Sequence, residues 1–326
     1  MLLSVIIPVY NVEKYIRRCI ISAVDNQIDG QQYEVIVVDD DSPDNSVDVI
    51  QELMQTYSNI RLIRQNNTGL SGARNTALNN ARGRYVIFLD GDDYLKQGAV
   101  NTVVRIADGN DLDILEFGAI GITEEDKEVY KCSISSSRVL SGIEYLDNYH
   151  YMNSACNKLY SLDFLDRHEL RFTDDIYIED FEFNTRAFFY AQKVLAVPNI
   201  VGCFVQTRNS ITRNTNKAKH SRMINDIYRV IVLLRTFRLD QGLVSEMEDR
   251  VFKDRLGFLT FTLIWGLVKF NIEKEESFNL LDELKRERLY PINTPLVSKR
   301  KNLVKHVINI EIFLRFLLQR SLIKQI

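Results

Sequence analysis

The sequence predicts an α/β protein, a mixed sheet with helices on both faces followed by a helical C-terminal region. Two observations predict it. Over the first 95 residues, β-branched apolar runs alternate with amphipathic segments, the pattern of a parallel sheet covered on both sides. After about Asn214 the chain turns to long helical periodicity and keeps only three of its 14 Gly. A length of 326 residues, with 45% apolar and 26% charged side chains, suits about two globular domains.

The elements follow in order. Residues 2–9 are rich in Val and Ile and form a strand that ends in Pro8-Val9-Tyr10-Asn11. Residues 12–26 carry helical periodicity, 33–38 are a second buried strand, and 47–57 a second helix. Residues 59–64, 72–81 and 84–89 repeat the pattern as strand, helix and strand. From Gly98 to about Gly202 the alternation loosens into mixed strands and short helices. The expected organisation is an α/β domain over 1–214, in two halves at 1–95 and 96–214, then a helical region over 215–326.

Composition excludes several classes. Five Pro and 14 Gly exclude a collagen-like chain, and four Cys without a CxxC pair exclude zinc knuckles and thioredoxin-like motifs. The expectation is reduced thiols in a cytoplasmic protein. Apolar runs reach about a dozen residues, short of the ~20 needed to cross a bilayer. The net charge of −3 divides into +8 over 217–326 and −11 over the rest. An acidic front of this kind argues against nucleic acid as a partner.

Ligands on parallel sheets bind at the carboxyl ends of the strands. Here those ends read Pro8-Val9-Tyr10-Asn11, Asp39-Asp40-Asp41-Ser42 and Asp90-Gly91-Asp92-Asp93. Two acidic clusters at one sheet edge repel unless a cation lies between them. Helix capping by Ser42 or Asp44 explains one carboxylate per site but not three. Asp90-Gly91-Asp92 is a D-x-D arrangement, and Mg²⁺ or Mn²⁺ takes such oxygen ligands together with a diphosphate.

SVIIPVYN, EVIVVDDDSPDNS, NTGLSGARNTAL and GRYVIFLDGDD stand in this order, followed by CNKLYSLDFL, LRFTDDIYIEDFEFNTRAF and RNSITR. This set resembles family 2 glycosyltransferases of the GT-A fold, over roughly residues 3–215. The resemblance implies that Pro8, Tyr10 and Asn11 line the nucleotide pocket. It implies that Asp40, helped by Asp39, contacts the uracil or ribose. Asp90 would lie near the ribose or sugar, and Asp92 would coordinate Mn²⁺ or Mg²⁺, supported by Asp93. Gly69 and Arg74 would belong to a loop over the donor, although Arg74 could also face solvent on its helix. Glu179-Asp180 matches the acidic pair whose Asp is the general base, and Arg208 and Arg213 match a loop over the diphosphate. Asn157 and Lys158 would reach donor or acceptor. Asp41 departs from the pattern, where the family places Gly.

The expected activity is metal-dependent, inverting transfer from a nucleotide-sugar, a UDP-sugar above others, to a saccharide or lipid-linked saccharide acceptor in bacterial surface polysaccharide synthesis. A sugar-phosphate nucleotidyltransferase is the alternative, disfavoured because PVYN stands where its Gly-rich loop would be. A non-catalytic scaffold would have lost the acidic positions, which are intact. Residues 298–326 hold seven basic residues against Glu311 alone, interleaved with apolar ones. They would meet either an anionic membrane surface or a protein partner such as a second copy.

Overall fold

Strand β1 (Leu3–Val9) is buried at all seven residues, which is why its sequence runs apolar without alternation. It pairs in parallel with β2 (Tyr33–Asp39) and β4 (Tyr85–Phe88), and β3 (Ile60–Arg64) lies parallel outside β2. Successive side chains of β1 point to opposite faces. Val5, Ile7 and Val9 pack with Ile16 and Ile20 of α1 (Glu13–Val24) and Ile50 of α2 (Ser46–Met54). Ile6 joins Ala73 and Ala77 of α3 (Gly69–Asn80) on the other face. The computed structural model describes residues 1–26, 33–149, 151–206, 217–242, 244–296 and 298–319.

Beyond β4 the sheet becomes mixed. Among the described residues its order is β3-β2-β1-β4, then β8 (Lys158–Ser161), β6 (Ile114–Ile122), β9 (Val194–Val205) and β5 (Tyr94–Leu95), with β7 (Glu128–Cys132) paired to β6. β8 runs antiparallel to both β4 and β6. β9 is parallel to β6, while β5 and β7 run antiparallel to their partners. Helices α4 (Ala99–Asn110), α5 (Gly142–Asn148), α6 (Leu162–Arg167) and α7 (Glu179–Tyr190) complete the layers. All four cysteines are free thiols.

The chain divides into two compact units, Met1–Asp175 with Glu179–Ser210, and Ile176–Ile178 with Ile211–Ile326. The second is helical: α8 (Lys217–Asp240), α9 (Glu246–Lys269), α10 (Lys274–Arg286), α11 (Lys299–Ile308) and α12 (Glu311–Gln319). The expected boundary at 214 falls within 207–216, outside the described residues. No helix among the described residues is long and apolar enough to cross a membrane.

Candidate active site

The ends of β1 and β2 are fixed to each other by side chains that receive backbone donors. Ser42 Oγ accepts from Asn11 N–H at 3.3 Å, and Asp44 accepts from Glu13 N–H at 2.8 Å, capping α1 from a distant segment. Pro8 is buried, whereas Tyr10 beside it is 52% exposed. Asp41 has φ of +64°, a left-handed conformation that favours Gly and that Asp tolerates better than most residues. The turn therefore keeps its shape without the family's Gly.

Asp39 and Asp40 are both buried. Asp39 accepts from Ser42 N–H at 3.2 Å and pairs with Arg64 at 3.4 Å. Asp40 accepts from Gln65 Nε2 at 2.7 Å and from the Thr68 and Gly69 N–H groups at 2.9 and 2.8 Å. These bonds satisfy donors that a helix start leaves open, so α3 begins at Gly69 (φ +81°), three residues ahead of the expected Gly72. Both oxygens of Asp40 hold the 65–69 turn. Its place is beneath the loop that carries Gly69.

The turn after β4 brings three carboxylates together. A Cβ at Gly91 would lie 3.0 Å from Val12 Cγ2 and 3.2 Å from Pro8 O, so a small residue is required there for this turn to rest on β1. Burial and the neighbouring Asp90 push the Asp92 carboxyl up to about 6. Asp93 is pushed well up for the same reasons, and its Oδ1 accepts from Val205 N–H at 2.7 Å. Asp93 thus ties the acidic turn to β9. Among the described residues no three His, Cys, Asp or Glu side chains gather into a complete metal cage. Oxygen-donor carboxylates on one turn do fit a hard cation that draws its other ligands from a diphosphate.

Arg74 departs furthest from expectation. Its side chain is 1% exposed, and the guanidinium pairs with Asp90 at 2.8 Å, Glu179 at 3.0 Å and Asp180 at 2.8 Å. It therefore neither faces solvent nor covers the donor as a loop residue. It bridges the end of β4 to the first turn of α7, and Nη2 also lies 3.7 Å from Cys156 Sγ. The guanidinium carbon is 5.0 Å from the centroid of the Phe172 ring. Asp180 Oδ2 accepts from Ala155 N–H at 3.0 Å. Burial and repulsion from Asp180 push Glu179 up, partly offset by Arg74. Ile178, directly before the pair, has φ of +61°. For a β-branched residue this is strain, which persists only where its surroundings enforce it. Ala155 and Cys156 escaped sequence reasoning, although CNKLY begins at Cys156 and marked the segment.

Asn157 and Lys158 are both buried, and Lys158 Nζ bonds Met152 O at 2.7 Å, Ser154 O at 2.8 Å and Asn157 Oδ1 at 2.8 Å. Lys158 also lies 3.7 Å from Glu116, which accepts from Tyr145 Oη and Asn157 Nδ2, each at 3.1 Å. All this polarity faces inward, so the pair shapes the 152–157 segment. Lys158→Met should cost about 3–5 kcal/mol in urea unfolding, because Glu116 is left as an uncompensated buried charge. Adding Glu116→Gln should recover most of the loss, and an unchanged midpoint in the single variant would refute the pairing. Arg208 and Arg213 lie outside the described residues.

Comparison with known proteins places this geometry in a lineage. The family model described as glycosyl transferase family 2 matches residues 4–168. The uncharacterized glycosyltransferase EpsJ of Bacillus subtilis strain 168 is 32% identical over 218 residues, covering 65% of this chain and 63% of EpsJ. The minor teichoic acid biosynthesis protein GgaB of the same strain is 37% identical over 168 residues, 50% of this chain and 18% of GgaB. The chain thus spans under two thirds of either relative's length. S. aureus TarS 1–349, solved in complex with UDP-GlcNAc, superposes with a TM-score of 0.66 at 18% identity, covering 89% of this chain and 93% of TarS 1–349. That likeness shows the GT-A fold, and with the family model spanning half of the sequence, this chain belongs to glycosyl transferase family 2.

Proposed function

We propose that the chain transfers a sugar from a nucleotide-sugar, a UDP-sugar in the first instance, to an acceptor hydroxyl with inversion at the anomeric carbon. The observation that carries this reading is the single buried guanidinium of Arg74 joining Asp90 to Glu179 and Asp180. It sets a donor-side carboxylate and an acidic pair at a fixed spacing. Tyr10, Asn11, Asp39 and the Gly69 turn above Asp40 would border the nucleotide. GgaB, by its name, points to a teichoic acid setting, and TarS, solved with UDP-GlcNAc, to a UDP-sugar as the type of donor.

Asp180 is assigned as the general base. Each of its oxygens accepts one hydrogen bond, Oδ1 from Arg74 and Oδ2 from Ala155, which leaves a lone pair on each for an acceptor hydroxyl. The proton moves to the carboxylate late, as the new glycosidic bond forms. Arg74 holds the carboxylate in one orientation, and the orientation is what a positioned base contributes. Asp92 and Asp90 would hold a Mn²⁺ or Mg²⁺ ion, which supplies positive charge for the departing diphosphate. Membership of family 2 removes the nucleotidyltransferase alternative.

A panel of UDP- and GDP-sugars, assayed for slow donor hydrolysis with Mn²⁺ or Mg²⁺, tests the assignment. One donor should release its nucleoside diphosphate, EDTA should stop the release, and Asp92→Ala should reproduce the effect of EDTA. Full activity of Asp92→Ala in EDTA would remove the metal from the account, and silence across the panel would favour the scaffold.

A further inference from the structure

Helix α12 is apolar on two sides. Leu314 and Leu318 are buried, while Ile312, Phe313 and Phe316 are 85, 40 and 42% exposed. The exposed apolar surface continues through Ile310 to Val307 and Leu303 on α11. Single exposed apolar residues are ordinary, but six within residues 303–316 make a patch. The opposite side of this helix pair is already fixed to its own unit. Tyr290 Oη donates to Ile308 O at 2.8 Å, Lys305 Nζ bonds Thr294 O at 2.7 Å, and Asn309 Nδ2 donates to Ile292 O at 2.9 Å. The outward face is therefore left over after the helices have docked.

We infer that this face of α11 and α12 docks on an anionic lipid bilayer. Lys299, Arg300 and Lys301 stand exposed at the start of α11. Glu311, the one acid among residues 298–319, is tied to Lys285 and Arg315. An exposed apolar stripe with a cationic end is the pattern of a helix lying in the headgroup region, where phosphates meet the cations and acyl chains the apolar side chains. A second copy of the chain is disfavoured on charge. A two-fold interface sets a patch against itself, and Glu311 is already engaged by Lys285 and Arg315, so the patch offers the Lys299–Lys301 cluster no uncommitted acid to meet.

Flotation of the full chain on vesicles of phosphatidylcholine, with and without phosphatidylglycerol, tests this. The chain should float with the anionic vesicles, and salt should weaken the binding. Ile312→Glu with Phe313→Glu should reduce binding at least about tenfold, and Lys299→Glu with Arg300→Glu about fivefold for each cation removed. Both variants alter exposed positions, so melting temperature and donor hydrolysis without vesicles should match the parent; loss of hydrolysis in the parent bears on sugar transfer alone. Docking is overturned if the parent fails to float on anionic vesicles, or if the Ile312/Phe313 variant floats equally well. It is also overturned if the parent is a dimer without flotation that the Ile312/Phe313 variant converts to a monomer, which would make the face an interface between copies.

Discussion

Arg74→Met is expected to lower the unfolding free energy by about 3–5 kcal/mol and to reduce sugar transfer by at least about 10²-fold. The substitution keeps much of the apolar stem but leaves Asp90, Glu179 and Asp180 facing one another without the guanidinium that pairs with all three. Water reaches these carboxylates in part, which places the loss toward the lower end of the range. The deficit should depend on pH. Burial and the neighbouring Asp180 already hold Glu179 above its ordinary value, and loss of Arg74 removes an offsetting charge, so the folded state binds protons at Glu179 more readily still. Stability is then retained in acid and lost as pH rises through the folded value. Urea unfolding at pH 5 and pH 8 should show the larger deficit at pH 8. Arg74→Lys keeps the charge but not the planar fork and should fall between parent and Met. A Met variant that is both stable and active would show that the bridge is incidental.

Asp180→Asn should reduce transfer by about 10²-fold or more while leaving the affinity for UDP unchanged. The structure shows that this amide is not a silent replacement. Asp180 accepts from Arg74 on one oxygen and from Ala155 N–H on the other, so Asn must turn its NH₂ toward one of two donors. Some stability loss is therefore expected, and the melting temperature should be read beside the rate. Glu179→Gln perturbs the Arg74 contact but leaves Asp180 in place, and it should be milder in both respects. Normal transfer by Asp180→Asn with a dead Glu179→Gln would move the base by one residue.

The first half of the fold was legible because β1 to β4 and the helices between them are local. Each strand is a buried apolar run and each helix an amphipathic one, so the elements appear within a few residues of their expected limits. The insertion of β8 between β4 and β6 was not legible, because its pairing joins segments about 70 residues apart and depends on which strand edge remains open. The candidate site divides in the same way. The carboxylates at 90–93 and 179–180 stand out through their types and spacing. Arg74 does not, since on its helix it looks like any surface cation and its partners at 179 and 180 lie 105 and 106 residues away. The burial of Lys158 is hidden for a similar reason, because a lysine is rarely fully buried and only the Glu116 network shows why this one is. Asp40 shows a third case, in which a carboxylate at a strand end also holds the backbone of a turn 28 and 29 residues away.

The anomeric configuration of the first product tests the central claim most directly. With the donor selected by the panel, proton NMR at early times follows the sugar released by hydrolysis before mutarotation. A single displacement assisted by the carboxylate held by Arg74 and Ala155 predicts the anomer opposite to that of the donor. Early release of the donor's own anomer would contradict the account, because the configuration would then have been retained.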